Sequence, residues 1–357
     1  MEKLKIKVIG AGSIGCHLSH AARTQDWNVS IYDRDQAAIS RAQNLIFPNR
    51  YGSWDSGIKV IDSKQNQGEV FDVVFIGTPP NSHIEIAKNQ IEQSPPKILV
   101  IEKPLSEPGL GDYAELRKIA AANDVRLLVG YNHRLTKSTV AAVEQLRFNP
   151  IGNPVTIRSL TRENWGGILA AHPWISGPED TYLGYLAQGG GALFEHSHAT
   201  NIFQYFAEII GAGKISHVSC EMDIVERSGM RYDQITQLSV RTESGLLGLI
   251  VQDVVTKPSK KWLRIEGTQG FLEWDVKGNY DTVTLDNQEN RTSSCIQFSK
   301  NRPDDFIPEM LHIKELIKSP NQESPIDIIK AIETTLVLNA AIESARTGTR
   351  ISVSYNV

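Results

Sequence analysis

The chain has 357 residues, 37 Lys and Arg against 41 Asp and Glu, and a formal net charge of −4. With 40% hydrophobic and 22% charged residues it has the balance of a soluble globular protein large enough for two domains. Nothing in this balance suggests a surface built to hold nucleic acid, and no apolar run reaches the roughly 18 residues needed to span a bilayer.

The three cysteines, Cys16, Cys220 and Cys295, are far apart and form neither a CxxC pair nor a disulfide framework. The N-terminal residues run straight into a strand without the apolar region of a signal peptide. A cytoplasmic protein with reduced thiols, no membrane partner and no nucleic-acid partner is expected.

In chain order, residues 6–9 read as a short buried strand, followed by a glycine-rich turn and a helix through about Thr24. Residues 29–32 form a second apolar run, ending in Asp33, and a helical stretch carries Ala37, Ala38 and Ala42. Residues 73–76 read as a strand stopping at Gly77-Thr78-Pro79-Pro80, before a helix with Ile84, Ile86, Ala87 and Ile91. Residues 98–101 read as a strand ending in Glu102-Lys103-Pro104, 113–122 as a helix and 126–129 as a strand. Short apolar strands alternating with helices predict a parallel sheet covered on both faces, doubly wound by right-handed crossovers. Ligands bind such a sheet at the carboxyl ends of its strands, where the turns after Ile9, Ile76 and Ile101 all fall.

From about Leu135 the pattern changes. A helix is predicted over 140–148, a strand over 155–162 and, after a Gly/Pro-rich loop, a helix over 192–210. Strands in series follow at 217–225, 235–242, 246–255, 262–266 and 270–274. A last helix over 326–346 stops at Gly348. Strands without intervening helices predict an antiparallel sheet. The expected fold class is α/β: a Rossmann domain over 1–130, and an α+β domain with a large, mostly antiparallel sheet over 131–357.

Gly10-Ala11-Gly12-Ser13-Ile14-Gly15 fits GxGxxG. It follows a strand, opens a helix, and has Asp33 about 20 positions on at the end of the next strand, the context that the dinucleotide fingerprint demands. Gly10 permits the tight turn, Gly12 lets the backbone approach a pyrophosphate on the helix N-terminus, and Gly15 allows close helix–strand packing. Asp33 suits the adenosine ribose hydroxyls and repels a 2′-phosphate, favouring NAD. Arg34 beside it leaves NADP as the alternative.

Lys103, at the end of an interior strand on the ligand edge, is placed to hydrogen-bond a substrate oxygen and stabilise alkoxide character as hydride leaves its carbon. After Gly189-Gly190-Gly191, the predicted helix carries Glu195, His196, His198 and Asn201. Glu195, His198 and Asn201, three apart, share a face opposite Phe194, Phe203 and Phe206. Oxidising a hydroxyl needs a base, and His198 rather than His196 is assigned that part. The His and Glu spacing does not match HExxH, His172, His217 and His312 are scattered, and no metal is expected. No GxSxG elbow supports a hydrolase.

Together these motifs resemble the glucose-fructose oxidoreductase / inositol dehydrogenase / MocA (Gfo/Idh/MocA) family. The residues that carry the resemblance are the GAGSIG turn, the run from Thr78 to His83, Glu102-Lys103-Pro104, the run from Gly130 to Arg134, the triple glycine with its helix, Gly267-Thr268-Gln269-Gly270, and the final helix with Thr347-Gly348. The resemblance implies nicotinamide at the Rossmann edge and an open sheet used for contacts between copies, in a homodimer or homotetramer. It implies a catalytic Lys103 beside a carbohydrate substrate. It also implies cofactor contacts from Gly10, Gly12, Ser13, Ile14, Gly15, Asp33, Arg34, Thr78, Pro79, Asn81, His83, Glu102 and Lys103.

The family's later motif has Asp, His four residues on, and Asp three further. Here Glu195, His198 and Asn201 stand instead, with the first carboxylate one residue closer. Residues 191–198 look like a subgroup linked to nonulosonic-acid and surface-sugar pathways. Tyr131, Asn132, Arg134, Trp174 and Asn201 are expected around the substrate. The expected activity is hydride transfer between nicotinamide and a carbon of a sugar, sugar nucleotide or inositol. A redox-neutral NAD-dependent glycosidase, a cofactor-sensing regulatory protein, and an oxidoreductase acting on a non-sugar substrate are the alternatives.

Overall fold

The computed structural model describes residues 3–61, 69–148, 150–170, 172–301 and 304–356. The chain divides into two compact units. One comprises residues 1–106, 111–132 and 303–328, and the other comprises 107–110, 133–302 and 329–357.

The first unit alternates strand and helix: β1 (Lys5–Ile9), α1 (Ser13–Thr24), β2 (Asn28–Tyr32), α2 (Gln36–Arg41), a π-helical turn (Ala42–Ile46), α3 (Phe47–Tyr51), β3 (Ile58–Val60), β4 (Val73–Ile76), α4 (His83–Gln93), β5 (Ile98–Ile101), α5 (Tyr113–Ala122) and β6 (Arg126–Val129). The six strands lie in the order β3-β2-β1-β4-β5-β6, and every neighbouring pair is parallel. Val73–Ile76 and Ile98–Ile101 are buried at every position. This is why they read as continuous apolar runs rather than alternating ones. The strand order reverses between β1 and β4, which makes their carboxyl ends the switch point of a Rossmann sheet. The short edge strand β3 escaped sequence reading because only Ile58 of its three residues is buried.

The second unit begins with α6 (Lys137–Leu146), β7 (Pro154–Arg162) and α7 (Trp165–Ala170). Three 3-10 turns lead to α8 (Gly191–Glu195) and α9 (His198–Ile209). The strands β8 (Ile215–Arg227), β9 (Met230–Thr242), β10 (Leu247–Asp253), β11 (Lys260–Gly267), β12 (Gly270–Val276), β13 (Tyr280–Asn287) and β14 (Thr292–Ser299) follow in series. Helix α10 (Ile307–Lys318) lies in the first unit, and α11 (Ile328–Thr347) and β15 (Ile351–Ser352) end the chain.

The nine strands are ordered β14-β13-β12-β11-β7-β10-β9-β8-β15. The β7–β10 pair is parallel and the others are antiparallel. Phe194, Phe203 and Phe206 pack with Ile157, Leu238, Leu263 and Trp274 in the core of this unit. Truncating one such aromatic costs about 3–5 kcal/mol. No helix among the described residues is long and apolar enough to cross a membrane.

Two predicted helices need correction. The one expected over 140–148 runs from Lys137 to Leu146, because Thr136 caps it by accepting the Thr139 N–H, and Phe148 lies beyond it, 88% exposed. The one expected over 192–210 is broken. The Ser197 N–H donates to the Phe194 carbonyl and the Ala199 N–H to the His196 carbonyl, so the joint between α8 and α9 tightens to three-residue bonds. Helix α10 and strands β13 to β15 were not anticipated. Strand β14 is exposed at nearly every position and rich in Ser and Thr, so it lacks an apolar alternation to read.

Candidate active site

In the first unit, the turn between β1 and α1 is built by close packing. A Cβ on Gly15 would come within 1.8 Å of the Gly10 carbonyl oxygen, and one on Gly10 within 2.7 Å of the Gly77 oxygen. A Cβ on Gly12 would meet nothing within 4 Å. Gly12 is also the N-cap of α1, and no side chain caps its amides. Open backbone and uncapped amides at Ser13, Ile14 and Gly15 are what a pyrophosphate requires. Asp33, at the end of β2, is fixed across the turn, one oxygen accepting the Ala11 N–H at 2.8 Å and the other the Asp35 N–H at 2.9 Å. Arg34 next to it is exposed. These residues fit an NAD nucleotide.

The turn after β4 lies on the same edge. The Thr78 hydroxyl pairs with that of Ser82 at 2.8 Å, and Pro79 and Asn81 are exposed. His83 is fully buried. Its Nε2 lies 2.7 Å from the Thr78 carbonyl oxygen and its Nδ1 3.1 Å from that of Pro104. The imidazole joins the turn after β4 to the turn after β5. Burial lowers its pKa, against the opposing pull of the Thr78, Pro104 and Leu105 carbonyls.

Lys103 follows β5 and is half-buried. Its N–H donates to the Glu102 carboxylate at 3.2 Å. That carboxylate lies against Gly130, where a Cβ would come within 2.8 Å of Oε1. Glu309 on α10 is fully buried, and burial with the neighbouring Glu102 charge raises its pKa well above the carboxylate range. Tyr131 and Asn132, after β6, are buried.

In the second unit, the predicted stripe of Glu195, His198 and Asn201 is divided by the helix joint. Glu195 ends α8 and accepts the Tyr182 hydroxyl at 2.8 Å. His198 opens α9 and stacks on His133. Asn201, one turn into α9, accepts from Arg134 Nε at 2.6 Å through its side chain and from the same guanidinium at 2.8 Å through its carbonyl. Its amide donates to Thr334 at 3.0 Å. Arg134 is 2% exposed and lies over the Tyr205 ring. Trp174 is half-buried, edge-on to His172.

Sequence reading gave no role to His133, although it lies inside the quoted run between Asn132 and Arg134. It also passed over Asp233 and Gln252, which reach α8 from β9 and β10. Their only signal was polarity within a buried strand.

The parallel sheet, the uncapped glycine turn and the acid across it define an NAD-binding Rossmann domain. Residues 4–131 match the Gfo/Idh/MocA family, described as oxidoreductase family, NAD-binding Rossmann fold. The match over that span is to the family that the motifs led us to expect.

Solved structures extend the likeness in fold over the whole chain. An oxidoreductase from Agrobacterium radiobacter, in complex with NAD+, L-tartaric acid and magnesium, is 19% identical with a TM-score of 0.74, covering 99% of both chains. Levoglucosan dehydrogenase in complex with NADH and L-sorbose is 18% identical with a TM-score of 0.76, covering 99% of this chain and 100% of that one. The WlbA dehydrogenase from Bordetella pertussis, in complex with NADH and UDP-GlcNAcA, is 18% identical with a TM-score of 0.72, covering 99% of both. Comparison with curated proteins yields no match.

Proposed function

We propose that the chain is a cytoplasmic NAD-dependent dehydrogenase or reductase acting on a CH–OH group of a sugar, sugar nucleotide or inositol, in surface-sugar biosynthesis. The observation that carries this reading is Lys103, half-buried at the carboxyl end of β5. That is the edge where the Gly10–Gly15 turn makes room for a dinucleotide. Sugar-related ligands in two of the structural neighbours support the carbohydrate class.

Bound NAD supplies the hydride acceptor or donor. Lys103 donates a hydrogen bond to the reacting oxygen of the substrate and stabilises its alkoxide character. His198 takes the hydroxyl proton in oxidation and returns it in reduction. Glu195, fixed by the Tyr182 hydroxyl, joins the proton path. Tyr131, Asn132 and Trp174 frame the substrate. Arg134 and Asn201, engaged with one another, seat α9 so that His198 is held in place. The first unit binds the cofactor. The second binds substrate and carries the sheet through which copies associate as a dimer or tetramer.

The test is NADH absorbance with NAD or NADP and a panel of inositols, free sugars and sugar nucleotides, run beside Lys103→Ala. Lysine-dependent NADH formation with one class supports the reading and names that class. Sugar release without net NADH points to redox-neutral glycoside cleavage and overturns it.

A further inference from the structure

We propose that Asp233 is a positioning residue that seats the short helix α8, and through it Glu195 and His198, on the sheet; this rests on the catalytic reading above. Helix α8 has five residues and no side-chain cap on its own segment, too few to hold a helix by its own bonds. Asp233 on β9 is fully buried, and its Oδ2 accepts the Leu193 N–H of α8 at 2.7 Å and the Thr236 hydroxyl at 2.5 Å.

Its Oδ1 occupies the place of a side chain at residue 191. Gly191 has φ +78°, and a Cβ there would lie 2.0 Å from that oxygen. On Gly190 a Cβ would lie 2.1 Å from the Tyr182 carbonyl oxygen. The triple-glycine turn is therefore gripped between a strand carboxyl and the backbone of the preceding loop.

Gln252 on β10 completes the seat. Its amide donates to the Ala192 and Leu193 carbonyls at 3.1 and 2.8 Å, and its oxygen accepts the Thr200 hydroxyl of α9 at 3.1 Å. Gln252 pairs with Thr236 in the sheet. Two adjacent strands thus hold an amide and two carbonyls of α8 with one carboxyl and one carboxamide.

Titration of the carboxyl gives this seat a pH signature. Burial pushes Asp233 up to about 7, outweighing the hydrogen bonds from Thr236, Leu193 and Ala192. Among the ionisable groups on the surrounding elements, β8 carries Cys220, Glu221 and Asp223, β9 carries Arg231 and Tyr232, β10 carries Asp253, α8 ends in Glu195 and His196, and the preceding loop carries Tyr182. The Cys220 thiol is pushed up to about 12, by burial first and then by Asp233. Opening α8 exposes Asp233 to water, where it ionises near its ordinary value of 3.8. The seat is then tightest when Asp233 is protonated. It loosens as pH rises from about 4 towards 7 and changes no further above that.

The test is hydrogen–deuterium exchange of the full-length protein over residues 189–198, corrected for intrinsic exchange, at pH 5, 6, 7 and 8. The wild type is expected to open more as pH rises to 7. In Asp233→Asn, neutral but still an acceptor, that dependence disappears. Asp233→Ala exchanges about ten-fold faster or more at every pH, with NADH affinity unchanged and, once a substrate is in hand, kcat lowered. If Asp233→Ala fails to fold, the Asn comparison decides. Exchange in Asp233→Ala like that of the wild type, or a pH dependence that survives in Asp233→Asn, overturns the proposal. Failure to find a sugar substrate leaves the exchange result standing, so the two readings fail separately.

Discussion

The imidazoles of His133 and His198 stack, with ring centroids 4.1 Å apart and planes 16° from parallel. His133 sits in the 3-10 turn Asn132–Leu135, whose backbone is tied down where the Thr139 hydroxyl donates to the His133 carbonyl at 2.7 Å. A fixed ring on one side restricts the proposed proton carrier on the other. Stacking of this kind contributes about 0.5–1.5 kcal/mol. His133→Ala is expected to lower kcat about two- to ten-fold, and His133→Phe to recover most of it. Equal kcat in His133→Ala and the wild type would show that the stack does not orient His198. His198→Asn removes the proton carrier itself and is expected to cost about 10²–10⁴-fold in kcat.

Lys103→Ala removes a donor aimed at developing negative charge. The expected loss is about 10²–10³-fold in kcat, with NADH affinity retained, since the glycine turn and Asp33 are untouched. Retained turnover in this variant refutes the assigned role of the lysine.

Asp33 sets the cofactor preference by its charge. In Asp33→Ser the repulsion of a 2′-phosphate is gone while a ribose partner remains. The ratio of NADPH to NADH affinity is expected to rise about ten-fold or more, aided by the adjacent Arg34. Titration with each reduced cofactor measures the ratio directly, and an unchanged ratio excludes Asp33 as its determinant.

His312 makes stability depend on pH. Burial, with Arg126 adding, lowers its pKa from 6.5 to about 4. Between those values the unfolded chain binds a proton that the folded chain does not, so stability is full above pH 6.5 and falls as pH drops towards 4. His83, also lowered by burial, acts in the same direction. The raised carboxyls of Asp233 and Glu309 act in the opposite direction, so the difference between variant and wild type is what reports His312. As pH drops through that window the melting temperature of His312→Gln is expected to rise relative to the wild type, the Gln keeping a polar partner for the Ser324 hydroxyl now 2.8 Å from His312 Nε2. Parallel curves for variant and wild type would remove His312 from the account.

The Rossmann half was legible because its signals are short-range. Apolar runs of four or five residues, a glycine turn and an acid at the end of the next strand all fall within about 35 consecutive residues, and they assemble as read. Lys103 was legible for the same reason, as a charge directly after a buried strand. The stripe of Glu195, His198 and Asn201 was read on the assumption of one continuous helix. The joint at His196–Ser197 divides it, where the backbone bonds tighten to three residues between Phe194 and Ala199.

The sequence by itself determined the alternation of strand and helix, the dinucleotide turn, the series of antiparallel strands and the residues around which chemistry gathers. Each follows from local periodicity, turn geometry or burial of a contiguous segment. Only the tertiary structure decided that β7 lies between β11 and β10, that residues 303–328 return to the first unit, and that Arg134 binds Asn201 across 67 positions. It also decided that the carboxyl of Asp233 fills the side-chain space of Gly191. Those pairings join residues far apart in the chain. Their energy comes from packing and from satisfying buried polar groups, and no local stretch of sequence encodes which distant partner supplies it.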